Sequence, residues 1–241
     1  MKTLFKLALA NKEKMTTLRS LAFPAFLLFA GLILTSCLPN NSASRPDECS
    51  GTGVFLIDQF NEDQDCGWYQ YSDDTLTGSA RVVGGVLQLT TREPGQFWWS
   101  NPSLDPMEDV TVSAVARKTG GPDDNAFGLI CRYQDPNNFY LFVISSDGFY
   151  AIGKVESGIN NITYLSGAGE YQFTETIQQG VQENSIRATC EGDQLTLTVN
   201  GILLESVQDG TFSAGDVGVG LTAFEEGTAS VEFDDIRVTL P

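Results

Sequence analysis

The sequence has no histidine among its 241 residues. Catalysis by a serine or cysteine nucleophile that a histidine activates is therefore excluded. Zinc binding is disfavoured for the same reason, and also because no Cys-x-x-Cys pair occurs. A phosphate-binding loop is missing too, since the glycine- and acid-rich turn "GGPDDN" at 120–125 is followed by neither a lysine nor a helical pattern.

Basic side chains are scarce. The chain has 14 Lys/Arg against 31 Asp/Glu, which gives a net charge of −17 at pH 7. Such a surface repels nucleic acids and anionic lipid headgroups, so we expect no nucleic-acid partner. Two interpretations of the acidity remain open, a role in binding cations or neutral ligands and a coat that keeps the protein soluble.

Apolar runs long enough to span a bilayer are also absent. The run "LAFPAFLLFAGLIL" at 21–34 has 14 residues, whereas a spanning helix needs about 20. It follows five basic residues and ends in "LTSC", which resembles the bacterial lipoprotein signal. We expect residues 1–36 to be a signal peptide and Cys37 to be lipidated, with translation starting at Met1 or Met15. A doubly acylated cysteine would anchor the protein at the cell membrane or outer membrane, outside the cytoplasm.

Loss of that leader removes five basic residues and one acidic residue, so the mature net charge is −21. Residues 37–52 are polar and rich in turn formers, which is typical of a flexible tether. Residues 53–241 are enough for one domain with a sizeable core.

Helical periodicity of useful length is missing from that domain. Short alternating apolar segments occur instead, at 54–57, 80–83, 86–91, 96–100, 110–117, 127–155, 185–190, 195–199, 202–207, 217–224 and 229–240. Two-residue hairpin turns are predicted at Gly84-Gly85, Asp147-Gly148 and Asn200-Gly201. The predicted fold is all-β: an antiparallel two-sheet β-sandwich of the jelly-roll type, because the chain is long for a small barrel.

The segment "FGLICRYQDPNNFYLFVISSDGFYAIGKV" at 127–155 contains seven aromatic rings. A two-residue turn at Asp147-Gly148 would place Val143 opposite Ile152, and a four-residue "DPNN" loop would place Cys131 opposite Phe142. Alternation then separates two faces. The uncharged face, expected to be core, carries Leu129, Cys131, Tyr133, Tyr140, Phe142, Ile144, Phe149, Ala151, Gly153 and Val155.

The other face is mixed. It carries Ile130, Arg132, Gln134, Phe139, Leu141, Val143, Tyr150, Ile152, Lys154 and Glu156. It is too apolar for a face turned only to water and too charged for a face buried against another sheet. Two interpretations fit, a ligand-binding groove and an outer face covered by loops.

Four cysteines remain in the mature chain, which in an exported protein indicates disulfides. Alternation turns Cys190 of "SIRATC" into the core, as it does Cys131. We therefore expect one bridge between Cys131 and Cys190, which leaves Cys49 to pair with Cys66.

Three segments together resemble the concanavalin A-like lectin/glucanase superfamily, especially its laminin-G-like and family-66-like carbohydrate-binding domains. They are "NAFGLICRYQDPNNFYLFVISSDGFYAIGKV", "NSIRATCEGDQLTLTVNGILL" and "GDVGVGLTAFEEGTASVEFDDIRVTL". The resemblance covers about residues 54–240. It supports the fold more than any ligand, since this sandwich serves lectins, glycosidases and adhesins alike.

The resemblance also suggests two chemical sites. Family-16-like glucanases use E-x-D-x-x-E, but "EFDDIR" at 232–237 has Arg237 in place of the last acid, which argues against a glycoside hydrolase. Related sandwiches hold a structural calcium near the first and last strands, which implies Asp58 and Asp235 as ligands; the loop acids 123–124 are a separate candidate. No other cofactor is expected.

Adjacent tryptophans, Trp98 and Trp99, must point to opposite faces of a strand, so one of them should leave the core or pack under a loop. The expected function is a non-catalytic binding module, for a glycan or alternatively for a cell-surface partner protein. Its expected ligand-binding residues are Arg132, Phe139, Tyr150, Lys154, Glu156, Trp98 and Trp99.

Overall fold

A computed structural model describes residues 49–61, 66–72, 77–159 and 162–241. The expected signal peptide, Cys37 and most of the tether lie outside these residues. Within them, no helix is long and apolar enough to cross a membrane.

The described chain folds into 15 strands. Their bounds are β1 Val54–Asp58, β2 Gly78–Val83, β3 Val86–Thr91, β4 Trp98–Ser100, β5 Val110–Gly120, β6 Asn125–Asp135, β7 Asn138–Ile144, β8 Phe149–Glu156, β9 Ile162–Tyr164, β10 Gln172–Phe173, β11 Glu183–Glu191, β12 Gln194–Val199, β13 Ile202–Gln208, β14 Asp216–Ala223 and β15 Ala229–Thr239.

The strands form two antiparallel sheets. The eight-stranded sheet has the order β13-β12-β11-β5-β15-β3-β2, with β1 also paired to β15. The seven-stranded sheet has the order β10-β8-β7-β6-β14-β4, with β9 also paired to β8. The all-β, antiparallel prediction is confirmed.

Alternation along the strands builds the main core between the sheets. In β5, for example, Val110, Val112, Ala114 and Ala116 are buried, while the residues between them are more exposed. Full burial of one Leu, Val or Phe side chain contributes about 1.5–3 kcal/mol, so a core of this extent is the main stabilising contribution to the fold.

Two of the three predicted hairpin turns are confirmed. Val83 pairs with Val86 around Gly84-Gly85, and Val199 pairs with Ile202 around Asn200-Gly201. All four turn residues have positive φ, between 50° and 80°, as a two-residue turn of this kind requires.

The register predicted at Asp147-Gly148 is wrong by one residue. Ile152 pairs with Phe142 instead of Val143. Ser145 and Phe149 form the last hydrogen bond, so the loop has three residues, 146–148, and Gly148 has a φ of 97°. Three-residue loops with glycine at the left-handed position are the next most common hairpin connection. A shift of one residue turns every β8 side chain to the opposite face.

The register predicted for β6 and β7 is corrected as well. Cys131 pairs with Tyr140 instead of Phe142, and the ladder is interrupted between Cys131 and Asp135. Arg132 lies in this bulge with a φ of 52°. The bulge changes the alternation, so Tyr133 leaves the main core, where it was predicted, for the other face.

Both predicted disulfides are confirmed. Cys131 of β6 joins Cys190 of β11 and therefore links the two sheets, and both residues are fully buried. Cys49 joins Cys66 and ties the start of the domain to the segment after β1.

Candidate functional site

The predicted ligand-binding cluster is not formed as expected, since the register shift turns part of it inward. Tyr150 belongs to the main core, is 8% exposed, and points its hydroxyl toward the Leu204 carbonyl oxygen at 3.4 Å. Lys154 follows the same alternation and lies on the core-facing side of β8. Neither side chain lies beside Phe139, which remains on the opposite face.

Arg132 is also misplaced in the prediction. Its residue is 2% exposed, and it donates hydrogen bonds to the carbonyl oxygens of Glu108 at 3.0 Å and Phe212 at 2.9 Å. Its guanidinium also lies 3.6 Å from the Asp109 carboxylate. A buried charge is stable only when it forms ion pairs and hydrogen bonds. Arg132 therefore connects two loops to β6, and its guanidinium does not face the predicted ligand site.

Lys154 belongs to a polar network at the edge of the sandwich. Its ammonium lies 2.9 Å from Asp209 Oδ2 and 2.6 Å from Thr211 Oγ1, and Glu156 is 3.6 Å away. Tyr140 donates to Asp209 Oδ1 at 2.6 Å, and its hydroxyl accepts the Phe212 amide at 3.1 Å. The network joins the loop before β14 to β7 and β8.

The network shifts the pKa values of two of its groups, Asp209 and Tyr140. Burial alone raises the pKa of Asp209, but hydrogen bonds from Thr211, Tyr140 and Lys154 outweigh it and bring the pKa to about 2. Burial, reinforced by the Asp209 carboxylate, raises the pKa of Tyr140 to about 12. Both groups stay in one protonation state near neutral pH, as structural groups do.

Phe139 lies on the predicted side of β7 but is fully buried. It belongs to a second hydrophobic cluster on the outer side of the seven-stranded sheet, and we call this surface the outer aromatic face. Its buried floor consists of Phe97, Ala126, Ile130, Phe139, Leu141, Val143, Ala151, Val155 and Ile159. Its partly exposed aromatic residues are Trp99, Tyr133, Tyr164, Tyr171 and Phe224.

The two tryptophans separate as expected from their adjacency. Trp99 pairs with Gly220 and joins the outer aromatic face, where its ring lies 6.2 Å from Phe97 and Phe139. Trp98 points to the other side, where its ring lies 5.6 Å from Tyr71. Both side chains are partly exposed, but they lie on opposite sides of the strand, and only Trp99 lies on the outer aromatic face.

The partly exposed rings form two groups on the outer aromatic face. Trp99 and Tyr133 lie 6.3 Å apart and cover Phe139. Tyr171 lies 5.1 Å from Tyr164 and 6.1 Å from Phe224, edge to face with both. Edge-to-face and tilted ring pairs add to burial in holding such clusters together.

Acidic residues adjoin both groups of rings: Asp216 pairs with Tyr133, and the Phe224 amide donates to the Asp124 carbonyl oxygen at 3.0 Å. Burial raises the pKa of Tyr133, and the charges of Asp135 and Asp216 raise it further. Burial likewise raises the pKa of Tyr171, with contributions from Tyr164, Asp124 and Asp147. Both phenols therefore remain neutral donors at physiological pH, beside acidic groups.

Glycines let rings lie flat on the sheet. Gly218 and Gly220 of β14 point to the outer side, and a methyl group at 220 would overlap the ring of Phe97. A methyl group at 218 would lie 2.6 Å from Asn101 Nδ2. Glycine within a strand marks such a close approach.

The predicted calcium ligands have other roles in the structure. Asp58 is 3% exposed and accepts the backbone amides of Phe60 at 2.9 Å and Cys66 at 2.7 Å. Asp235 accepts a hydrogen bond from the Gln59 side chain at 2.6 Å. Among the described residues, no group of three or more His, Cys, Asp or Glu side chains is arranged to hold a metal ion.

The glucanase-like segment lies in β15. Glu232 forms an ion pair with Arg117 at 2.7 Å on the outward side of the eight-stranded sheet. Asp234 shares that side, and burial raises its pKa, with Asp235 and Glu183 adding to the effect. The bulge between Asp234 and Arg237 changes the alternation before the position where the pattern would need its third acid.

Comparison with known proteins shows the fold. No family model matches the sequence, and no curated protein matches it. The carbohydrate-binding module CBM66 from Bacillus subtilis is similar in structure, with a TM-score of 0.54, 19% identity, and coverage of 72% of this chain and 95% of the module. The predicted jelly-roll β-sandwich fold is thus confirmed.

Other similar structures have different activities. A family 16 glycoside hydrolase from a Bacteroides ovatus mixed-linkage glucan locus has a TM-score of 0.51 and 11% identity, over 77% of this chain and all of the enzyme. A Bacillus subtilis protein of unknown function with a galectin-like fold has a TM-score of 0.52 and 10% identity, over 79% of this chain and 97% of that protein. The same fold occurs in a binding module and in a glycoside hydrolase, so the fold by itself does not separate binding from catalysis.

Sequence reasoning missed four of the five partly exposed rings on the outer aromatic face. Tyr133 was assigned to the core because a bulge at a non-glycine residue leaves no sequence signal. Tyr164, Tyr171 and Phe224 lie in or beside connections whose path the strand pattern does not specify. One signal was available, since the alternating glycines of "VGVGL" at 217–221 indicate a face on which rings pack closely.

Proposed function

We propose that the protein is a non-catalytic glycan-binding module, held outside the cytoplasm by a lipid on Cys37. The observation that carries the proposal is the outer aromatic face, where partly exposed Trp99 and Tyr133 lie 6.3 Å apart and Asp216 pairs with Tyr133. Aromatic rings bind the apolar faces of sugars, and carboxylates accept hydrogen bonds from sugar hydroxyls. The predicted export signal and the two disulfides support a location outside the cytoplasm.

A glycan array followed by calorimetry tests this proposal. Trp99→Ala and Tyr133→Ala should each weaken binding about tenfold or more, because each removes a stacking surface. Tyr69→Ala is the matched control, since Tyr69 is 65% exposed but does not belong to the outer aromatic face. Melting temperatures separate loss of the site from loss of the fold. Equal loss in all three variants, or no glycan bound by the folded protein, would refute the proposal.

The non-catalytic part of the proposal rests on Glu232. Its carboxylate is engaged by Arg117, and Arg237 replaces the third acid of the glucanase pattern. We expect no release of reducing ends from β-glucans or xylans by the purified protein. Turnover that disappears in Glu232→Gln but persists in Glu205→Gln would identify an enzyme instead.

A protein-interaction role is the second candidate. Edge strand β13 exposes Ile202 by 55% and Leu203 by 61%, and edge strands with apolar side chains are prone to pair with other chains. If this edge is an interface between copies of the chain, light scattering should show a dimer that Leu203→Lys dissociates. A monomer at all concentrations tested would reject this form of the second candidate.

A further inference from the structure

Given the proposed glycan-binding function, the groups beside the rings of the outer aromatic face bear on the charge of the ligand. The outer aromatic face has acidic groups near both of its ring groups. Asp216 of β14 pairs with Tyr133, and Asp135 lies two residues after Tyr133 in β6. The Phe224 amide donates to the Asp124 carbonyl oxygen at 3.0 Å, and the Asp147 charge adds to the raised pKa of Tyr171. All four acids are partly exposed, so their charges are felt at the surface.

Basic side chains are directed away from this face. The strands that build it, β4, β6 to β10 and β14, contain two basic residues, Arg132 and Lys154. Both point to the other side of the sheet, where Asp109 and Asp209 neutralise them.

Several of the other basic residues lie on the opposite side of the sandwich. Arg187 and Arg237 alternate with core residues in the eight-stranded sheet, so both point outward from it. Arg117 also lies on that side and pairs with Glu232. The two broad faces of the sandwich therefore differ in charge: one mixes both signs, whereas the strands of the outer aromatic face direct no basic side chain to its surface.

We propose that the outer aromatic face binds glycans whose sugar rings carry unsubstituted amino groups. The apolar side of a sugar ring stacks on Trp99 or Tyr133. The protonated amine is attracted by the faces of the aromatic rings and by the neighbouring carboxylates. A neutral sugar of the same shape gains the first interaction and lacks the second.

Calorimetry on the full-length protein, at low ionic strength and slightly acidic pH, tests the proposal with three soluble oligosaccharides of equal length. These are a glucosamine oligomer, its fully N-acetylated form and a cello-oligosaccharide. We expect the glucosamine oligomer to bind about tenfold more tightly than the other two, and the difference to shrink as salt screens the carboxylates.

Matched charge variants locate the effect. The pair Asp135→Asn and Asp216→Asn should remove most of the preference for the amine, because an amide oxygen still accepts hydrogen bonds from sugar hydroxyls but carries no charge. The pair Glu191→Gln and Glu205→Gln removes the same charge from the eight-stranded sheet and should leave the preference intact. Neither pair deletes a core side chain, so both should fold even if Trp99→Ala does not.

Three other outcomes would contradict the amine preference, the glycan-binding function or the class of ligand. Equal affinity for all three oligosaccharides would overturn the amine preference and leave the glycan-binding function standing. Absence of binding to any oligosaccharide by the folded protein would overturn both. An oligolysine peptide that binds as tightly as the glucosamine oligomer, with the same dependence on Trp99, would replace the glycan by a basic protein segment.

Discussion

Arg132 shows how one residue can reverse a functional prediction. In a regular strand its guanidinium would face the outer aromatic face as a ligand donor. With a φ of 52° in a bulge, it turns inward and donates to Glu108 and Phe212. A charged side chain at a sequence position predicted to be exposed is thus part of the internal framework.

Replacement of Arg132 should therefore affect stability instead of binding. We expect Arg132→Met to lower the free energy of unfolding by about 2–4 kcal/mol, because two carbonyl oxygens and Asp109 lose their partner. Urea unfolding measures the change, and glycan affinity of the folded variant should be unaltered. Arg187→Met, on the outward side of the eight-stranded sheet, should change stability by about 0.5 kcal/mol or less. Loss of affinity without loss of stability would restore Arg132 as a ligand residue.

Asp209 gives the protein a defined acid sensitivity. Its pKa in the folded state is about 2, below the ordinary value of about 3.9. Its contribution is complete above pH 4 or so and is lost as the pH falls through about 2, since the unfolded chain takes up the proton first. We expect wild type to exceed Asp209→Asn by about 1–2 kcal/mol at neutral pH, with allowance for partial exposure.

Urea unfolding of both proteins from pH 7 to about pH 2 measures that difference. The two stability curves should converge at the acidic end of the range. Glu191→Gln, at an exposed position on β11, is the control for removing one charge. A difference that stays constant down to the lowest pH would contradict the assignment of the low pKa to the Asp209 network.

At the scale of the element, the connection between β7 and β8 decides which side chains meet. A glycine after aspartate is typical of both two-residue and three-residue hairpin loops, and the choice moves the register by one. Gly148 hydrogen bonds to the Ser145 carbonyl, and its position leaves room for Phe173 and Gln179. The three-residue loop therefore packs against β10 and the loop that follows β10. Neither segment is part of the hairpin sequence.

Substitution of Gly148 should show how much this packing contributes to stability. Gly148→Ala combines a φ of 97° with contacts of 2.7 Å to Gln179 and 2.8 Å to Phe173 for the added methyl group. We expect a loss of about 2–3 kcal/mol in urea unfolding. Gly201→Ala is matched, because Gly201 has a φ of 80° but nothing within 4 Å, and it should lose about 1 kcal/mol. Equal losses would mean that backbone strain alone is measured.

At the scale of the whole molecule, the disulfides join parts that are distant in sequence. Cys131 and Cys190 are 59 residues apart and link the two sheets, whereas Cys49 and Cys66 are 17 residues apart. Chain entropy predicts a loss of about 4 kcal/mol on removal of the first bridge and about 3 kcal/mol for the second.

The double variants Cys131→Ala/Cys190→Ala and Cys49→Ala/Cys66→Ala test this order. Chemical unfolding under non-reducing conditions gives both losses on one scale. The variant of the inter-sheet bridge should also lose more cooperativity, because the bridge spans the main core. A larger loss for the N-terminal bridge would show that local strain or loop order outweighs chain entropy.

The predictable part of the protein is the part that local chemistry governs. Alternation of apolar residues placed the strands, glycine and asparagine pairs placed two hairpins, and alternation around Cys131 and Cys190 predicted their bridge. These features depend on neighbours in the sequence, where period and turn chemistry act directly. The sequence by itself therefore determined an acidic, disulfide-linked antiparallel sandwich without histidine chemistry.

Tertiary structure decided which surface is a candidate for function. The bulge at Arg132 and the three-residue loop ending at Gly148 each change the alternation, and together they exchange the roles of Tyr133 and Tyr150. Because side chains alternate along a strand, one irregularity changes the side on which every later residue lies. An error of one residue in the register therefore assigns those side chains to the wrong face. The rings of the outer aromatic face come from strands and connections that meet only when the sandwich closes, and no local pattern contains that information.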